Sequence, residues 1–371
     1  NITRPLAKAR LDIVSLYRPR IENAMAFFFN DRSPHRIKKL LVFKIDIEKQ
    51  RRGIKAAIFS DVAKALRAFD IDALVVDVNG FSVELPLDLI DDDKEALLRL
   101  GLSESDNPNE VLNKPKLPLS GSQAILSYSR GSVLSIDFAL SGLLQENLTS
   151  PITLGLPLDA FEFQDNTTVN QLAVYRYYPS QKIWKAVGGI YDAASNKIFA
   201  NRDQLSEYTL LKSTKTFSDI GNSKAKSDIQ KMLNKGSLPS TPTFKPSDKL
   251  TREEFAQWLV KSYGLENLKG RKVAFTDVSK TSPYYNAIVI AYSEGMLQPK
   301  TSTTFRPKDA LTKAEMAKAI AVTLERYQKK AANAQLAQKL LSTKKDLPTA
   351  AAGSVSLLYE LGIFTSSDLT N

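Results

Sequence analysis

Residues 244–255 read FKPSDKLTREEF, and residues 305–316 read FRPKDALTKAEM. Alignment pairs Phe244 with Phe305, Pro246 with Pro307, Asp248 with Asp309, Leu250 with Leu311, Thr251 with Thr312 and Glu254 with Glu315. A spaced pattern written twice is an internal repeat, which implies one supersecondary unit used more than once. The likeness runs upstream, where TFSDI at 216–220 matches AFTDV at 274–278. Apolar residues at helical spacing follow in each copy and stop at a glycine. They are Ala225, Ile229, Met232 and Leu233 before Gly236, and Tyr284, Ile288 and Tyr292 before Gly295. A glycine just past the last turn is a helix stop.

Each copy therefore reads as helix, loop, helix. Thr251 with Glu254, and Thr312 with Glu315, have capping-box spacing, which predicts second helices beginning at Arg252 and Lys313. The expected buried stripes are Phe255, Trp258, Leu259 and Ser262 in copy one and Met316, Ile320 and Leu324 in copy two. A cation in a first helical turn opposes the helix dipole, where unpaired N–H groups favour an anion. Arg252 and Lys313 are thus candidate anion ligands. The alternative is that they pair with Asp219 and Asp277 or point into water.

A third copy begins at LPTAAAGSVSLLYELGIF, 347–364, with Val355, Leu358 and Tyr359 on one face and Gly362 at its end, but no FxPxDxLT segment follows it. The opening NITRPLAKARLDIV offers Ile2-Thr3-Arg4 in place of LTR, with Leu6, Ala9, Leu11 and Val14 as a stripe. Residues 1–17 are therefore expected to complete the third unit, within the chain or from a neighbour, with Arg4 as its cation. Between copies two and three, KKAANAQLAQKLLSTKK at 329–345 reads as a solvated connecting helix, with a membrane-surface or nucleic-acid helix as the alternative.

FSDI…FKPSDKLTREEFAQWLV and FTDV…FRPKDALTKAEMAKAIA resemble S-layer homology repeats, whose pattern is FxDv, a helix ending in Gi, then F.P....TRaEfa. The resemblance covers about residues 215–371. It implies a pseudo-threefold cluster of helix-loop-helix units with grooves between neighbours. It also implies noncovalent attachment to the bacterial cell wall through a secondary polysaccharide, commonly bearing pyruvate ketals. Carried over by position, the family's arginine falls on Arg252 and on Lys313, which lacks the planar fork of a guanidinium. Its acidic partner falls on Asp219 and Asp277, and its helix-ending glycine on Gly236, Gly295 and Gly362.

The amino-terminal half reads differently. SDVAKALRAF at 60–69 is helical, with Ser60 as cap. ALVVDVNGFSVELPL is a hairpin turning at Asn79-Gly80. The run DDDKE at 91–95 precedes ALLRLGL, so it reads as acidic residues in the first turn of a helix, with an acid/base pair or calcium site as the alternative. After the Pro- and Ser-rich stretch 113–122, SVLSIDFAL and PITLGLPL alternate with a period of two. LAVYRYY, IWKAV, GGIYD, KIFA and EYTLL then read as a meander, so a sandwich is expected. The aromatic residues Tyr175, Tyr177, Tyr178, Trp184 and Tyr191 cover a sheet in this reading or line a sugar face. The stretch LAVYRYYPSQKIWKAVGGIYDAASNKIFANRDQLSEYTLL also resembles a β-sandwich module common in bacterial surface proteins, which implies a spacer or adhesive scaffold.

Composition limits the chemistry. With no cysteine in 371 residues, disulfides, thiol catalysis and cysteine-held metal are excluded. The one histidine, His35, lies in the loop-like NDRSPHR, so a histidine triad or histidine metal site would rest on it alone. No GxGxxG or Walker loop is present. The sequons at Asn147 and Asn166 are short patterns that carry little weight. An excess of 51 Lys+Arg over 40 Asp+Glu gives a net charge of +11 and favours an anionic partner. No apolar run reaches the length of a membrane helix, and the opening residues lack the basic, apolar and small-residue succession of a signal peptide, so a cytosolic chain or a processed export product is expected.

The expected fold class is an α+β multidomain protein. A helical lead segment at 1–30, a β-rich α+β domain at 31–115 and a sandwich-like domain at 120–213 precede the repeats at 214–266, 272–327 and, in part, 337–371. The expected function is non-catalytic anchoring of an extracellular surface protein to wall polysaccharide, without cofactor or metal. Self-association in a surface layer fits this reading, and nucleic-acid binding or membrane insertion does not. The polysaccharide-binding candidates are Arg252, Lys313, Asp219, Asp277, Thr251, Thr312, Glu254, Glu315 and Arg4. The alternative is a wall-anchored carbohydrate-active enzyme or adhesin that acts through its β-rich half.

Overall fold

The computed structural model describes residues 2–3, 13–15, 40–47, 53–105, 125–127, 131–158, 169–213, 215–268, 273, 275–328, 332–343, 347 and 349–364. They fall into two compact units. The first draws on Asn1–Asn30, Lys39–Pro246 and Lys261–Leu268, the second on Asp31–Lys38, Ser247–Val260 and Lys269–Asn371.

The first unit is β-rich. Its early strands are β1 (Ile2–Thr3), β2 (Ile13–Ser15), β3 (Leu40–Ile45), β4 (Gly53–Ile58), β5 (Ala73–Val78), β6 (Phe81–Pro86) and β7 (Ala96–Ser105), with helix α1 (Ser60–Ala68) between β4 and β5. The later ones are β8 (Ile125–Ser127), β9 (Gly131–Leu140), β10 (Leu143–Leu144), β11 (Asn147–Pro157), β12 (Leu172–Tyr178), β13 (Ile183–Ala186), β14 (Ile190–Asp192), β15 (Lys197–Gln204) and β16 (Glu207–Ser213). One sheet runs β1-β3-β5-β6-β11-β15-β14, the other β13-β12-β16-β9-β7-β4-β2 with β10 on β9 and β8 on β16. Both sheets feed one buried cluster, which joins Val76, Val83 and Leu154 of the first to Leu98, Leu134 and Ile136 of the second. Each such side chain contributes about 1.5–3 kcal/mol by leaving water.

This topology corrects two expected boundaries. The separate domains at 31–115 and 120–213 are one unit, because β6 pairs with β11 and β7 pairs along its whole length with β9. The Pro- and Ser-rich stretch joins strands of one core instead of separating two. The helical lead segment and its role in completing a third repeat also fail at the described positions. Ile2–Thr3 lies parallel to β3, and Ile13–Ser15 lies parallel to β4. Arg4 and His35 lie outside the described residues.

Local expectations fare unevenly. The hairpin turns at Asn79 (φ 49°) and Gly80 (φ 88°), closing Val78 against Phe81. Asn79 also fastens the turn to β3, its Oδ1 accepting the Ile47 N–H at 2.8 Å. Helix α1 forms and buries Val62, Ala63, Ala65 and Leu66, but Phe59 is its cap residue and Ser60 its first helical one. The helix expected after DDDKE is instead strand β7, in which Ala96, Leu98, Leu100 and Leu102 are buried while Arg99 is exposed. That period of two decides for a strand, and the acidic run becomes a turn in which Asp92 pairs with Arg67 and Asp91 with Lys94.

The expected meander is broken at Gly188-Gly189. β12 and β13 form a hairpin in one sheet, β14 and β15 form one in the other, and β16 returns beside β12. The crossing uses φ of 101° and 126°, and a Cβ on Gly189 would lie 2.6 Å from Ile198 Cγ2. Tyr175 and Trp184 are buried on the outer face of β12 and β13 with Ala173 and Leu211, while Tyr191 is exposed. Most of the aromatic set therefore packs.

Six further helices carry the repeats: α2 (Lys226–Asn234), α3 (Arg252–Ser262), α4 (Tyr285–Ser293), α5 (Lys313–Gln328), α6 (Ala334–Thr343) and α7 (Ala352–Glu360). Copy one is α2 and α3, copy two is α4 and α5, and α6 is the connecting helix ahead of α7 in copy three. α3 buries Phe255 and Leu259 as expected but Ala256 and Val260 in place of Ser262. In the second unit, Ala317, Ala321 and Leu324 of α5 pack with Leu340 of α6 and with Val355 and Leu358 of α7.

Candidate functional site

Each repeat builds its loop with one carboxylate. Asp219 accepts the N–H groups of Phe244 and Lys245 at 2.8 and 2.7 Å, and Asp277 accepts those of Phe305 and Arg306 at 2.9 and 2.7 Å. Lys245 (φ 60°) and Arg306 (φ 57°) sit in the left-handed region, which side chains other than glycine rarely occupy. The aspartate compensates by satisfying two adjacent donors in that turn. The Phe244 N–H, helped by that of Lys245, holds the Asp219 carboxyl below the usual carboxylate range. Both aspartates thus brace loops, and neither pairs with Arg252 or Lys313.

The capping boxes form in both copies. Glu254 Oε2 accepts the Thr251 N–H at 2.9 Å, and Glu315 Oε2 accepts that of Thr312 at 3.1 Å. Their hydroxyls return to the Glu254 and Glu315 N–H groups at 3.4 and 3.2 Å.

Beyond the boxes the two helix starts differ. The start of α3 is joined to the loop of copy two: the Arg252 and Glu253 N–H groups donate to Asp309 O and Pro307 O at 3.0 Å each, and the Leu311 N–H donates to Leu250 O at 2.8 Å. A bridge pairs Thr251 with Ala310. The orphan donors of this helix are therefore filled by protein.

Arg252 itself is 1% exposed. Its Nε donates to Phe305 O at 3.0 Å, one Nη to Gln298 O at 2.6 Å and the other to Glu315 Oε1 at 2.5 Å, with its Cζ 4.6 Å from the Phe305 ring centre. This corrects the expectation of a free cation at that helix start. The guanidinium fork suits three acceptors arranged about one plane, so it is consumed in tying copy one to copy two. Burial works against ionisation of Glu315, but the hydrogen bond from Lys300 (2.6 Å), the Thr312 N–H and Arg252 outweigh it and hold its carboxyl low.

The solvent-facing cations of this junction include Lys308, 79% exposed and 2.5 Å from Glu253, and Lys300. Sequence reasoning passed over both, since neither falls on a repeated position. Lys308 Nζ also lies 5.9 Å from the half-buried Tyr284 ring. Lys313 is exposed and makes no ion pair or hydrogen bond with its side chain among the described residues. No group of carboxylate and histidine side chains suited to a metal occurs among the described residues, and no helix there is long and apolar enough to cross a membrane.

Comparison with known proteins identifies the repeated segments. Residues 216–256 and 274–317 match the family profile of the S-layer homology domain. The chain is also 29% identical over 217 residues to an amylopullulanase of Thermoanaerobacterium thermosulfurigenes, a match covering 57% of this chain and 11% of that protein. The chain thus carries two S-layer homology repeats, and these indicate a place at the cell surface, attached to the wall.

Proposed function

We propose that the repeats hold this chain to the wall by binding a secondary wall polysaccharide, and that the chain is non-catalytic. The observation that carries the reading is the pair of S-layer homology matches, built as two linked copies. The binding surface is the junction of copies one and two. Tyr284 offers a ring face for a sugar, Lys308 and Lys300 offer charge, and Arg252 and Glu315 act as positioning residues beneath. Each cation already faces a carboxylate, so an acidic substituent such as a pyruvate ketal shares Lys308 with Glu253 and Lys300 with Glu315. The repeats form a pseudo-threefold cluster in this reading.

Calorimetric titration with purified wall polysaccharide, before and after mild acid removes its pyruvyl groups, tests the ligand. Binding that disappears with those groups and weakens about tenfold in Lys308→Ala supports the site. Equal affinity for both preparations removes the anionic requirement.

The amylopullulanase likeness favours a second reading, in which the chain is itself a wall-anchored carbohydrate-active enzyme that acts through its β-rich half. Release of reducing sugar from starch or pullulan by the purified chain would establish it.

A further inference from the structure

The outer face of the sheet β13-β12-β16-β9-β7-β4-β2 carries a polar hollow. Strands β4, β7 and β9 lie side by side there, with Lys55 opposite Arg99 and Arg99 opposite Asp137. Their neighbours in sequence, Ile54, Leu100 and Ile136, belong to the buried cluster between the sheets. Lys55, Arg99 and Asp137 are therefore turned the other way and are exposed. The hollow has a volume of about 230 Å³, and its polar lining comes from Lys55, Arg99, Ser135 and Asp137 around Gly101.

Its floor is open to a ligand. Gly101 pairs with Gly53, so one cross-strand position carries no side chain and a bound group can reach the backbone. Ser135 Oγ stands beside this gap, donating to Gly101 O at 3.3 Å. Its charges are uncompensated. Opposed side chains on paired strands have Cβ atoms within about 5.5 Å, where the like charges of Lys55 and Arg99 repel. Among the described residues, Lys55, Arg99 and Asp137 make no side-chain ion pair or hydrogen bond. Two cations against one carboxylate leave a single positive charge, which suits a monoanion. The volume falls below the roughly 300–1,000 Å³ of pockets for drug-sized ligands, so it suits a group the size of one sugar ring.

We propose that this hollow binds one carboxylated sugar residue. The Arg99 fork and the Lys55 ammonium take the carboxylate. Asp137 accepts a hydrogen bond from a ring hydroxyl, Ser135 Oγ makes a second hydroxyl contact, and the ring lies over Gly101. Asp137 is the one carboxylate in the lining, so the hollow lacks the acid pair that glycoside hydrolysis uses. The site belongs to the β unit, and the inference does not rest on wall attachment by the repeats.

Saturation-transfer NMR of the full chain with methyl glucuronide tests it, at physiological salt, where net charge alone gives little retention. A saturable signal is expected from the glucuronide and none from methyl glucoside, which has the same ring without the carboxylate. Glucose 6-phosphate should bind more weakly than the glucuronide, because its phosphate carries more charge than the hollow balances. Arg99→Gln and Lys55→Gln replace exposed side chains, so both variants should keep the wild-type melting temperature while binding the glucuronide at least tenfold more weakly. No saturable binding to the wild type, equal signals from glucoside and glucuronide, tighter binding of the phosphate, or undiminished binding by both variants overturns the proposal.

Discussion

Arg252 is the residue on which the repeat junction depends. Its side chain satisfies two backbone carbonyls and Glu315 while almost wholly buried, so truncation leaves three acceptors short of a donor. Arg252→Ala should cost about 3 kcal/mol in denaturant unfolding, the scale of a broken buried pair. Lys at the same position should recover little of it, since one ammonium cannot span the three acceptors. Glu315 adds a pH dependence. Because its carboxyl is held low in the folded chain, its stabilisation is present above the unfolded carboxylate range, near about pH 4, and is lost as pH falls through the folded value. Unfolding followed from pH 7 into acid should therefore show a loss of stability that Glu315→Gln removes. Lys235 works in the opposite range. Burial lowers its ammonium from 10.5 to about 8. Stability should consequently rise between those values as the pH increases, and Lys235→Met should flatten that rise.

At the scale of elements, the glycine stops were legible before any coordinates, but their different burdens were not. Gly236, Gly295 and Gly362 all have φ near 70°, at 75°, 74° and 67°. A Cβ at Gly236 would lie 2.4 Å from Ala186 O, whereas one at Gly362 would meet nothing within 4 Å. Gly362→Ala should then cost about 1 kcal/mol from backbone strain alone, and Gly236→Ala distinctly more, as thermal melts of the two variants can show. Conversely, Lys245→Gly and Arg306→Gly should each stabilise the chain by about 0.5–1 kcal/mol, because glycine adopts their left-handed turn without strain. The capping boxes were equally readable, since Thr and Glu at that spacing have a local partner. Strand β7 was misread because ALLRLGL also fits helical spacing, and only the burial of alternate residues against β4 and β9 decides it.

Over the whole molecule, what could be read followed from how local the cause was. The repeats announced themselves because one motif recurred. The interleaving of the β half did not, because nothing in the stretch 113–122 says that β7 will find β9 beyond it. The site shows the same limit. The residues that the repeat marks, Asp219, Asp277, Thr251, Glu254, Thr312 and Glu315, build loops and caps, and Arg252 closes the junction. The exposed cations Lys300 and Lys308 lie off the repeated pattern and emerge only once the two copies are joined. The net charge of +11 predicts some retention on any polyanion at low salt. Attachment that persists at physiological salt has to come from the repeats. Co-sedimentation of the full chain with purified bacterial wall sacculi, at that salt and before and after chemical removal of the secondary polysaccharide, tests this most directly. The account predicts that the chain pellets with intact sacculi and stays in the supernatant with stripped ones; equal pelleting with both, or with neither, would contradict it.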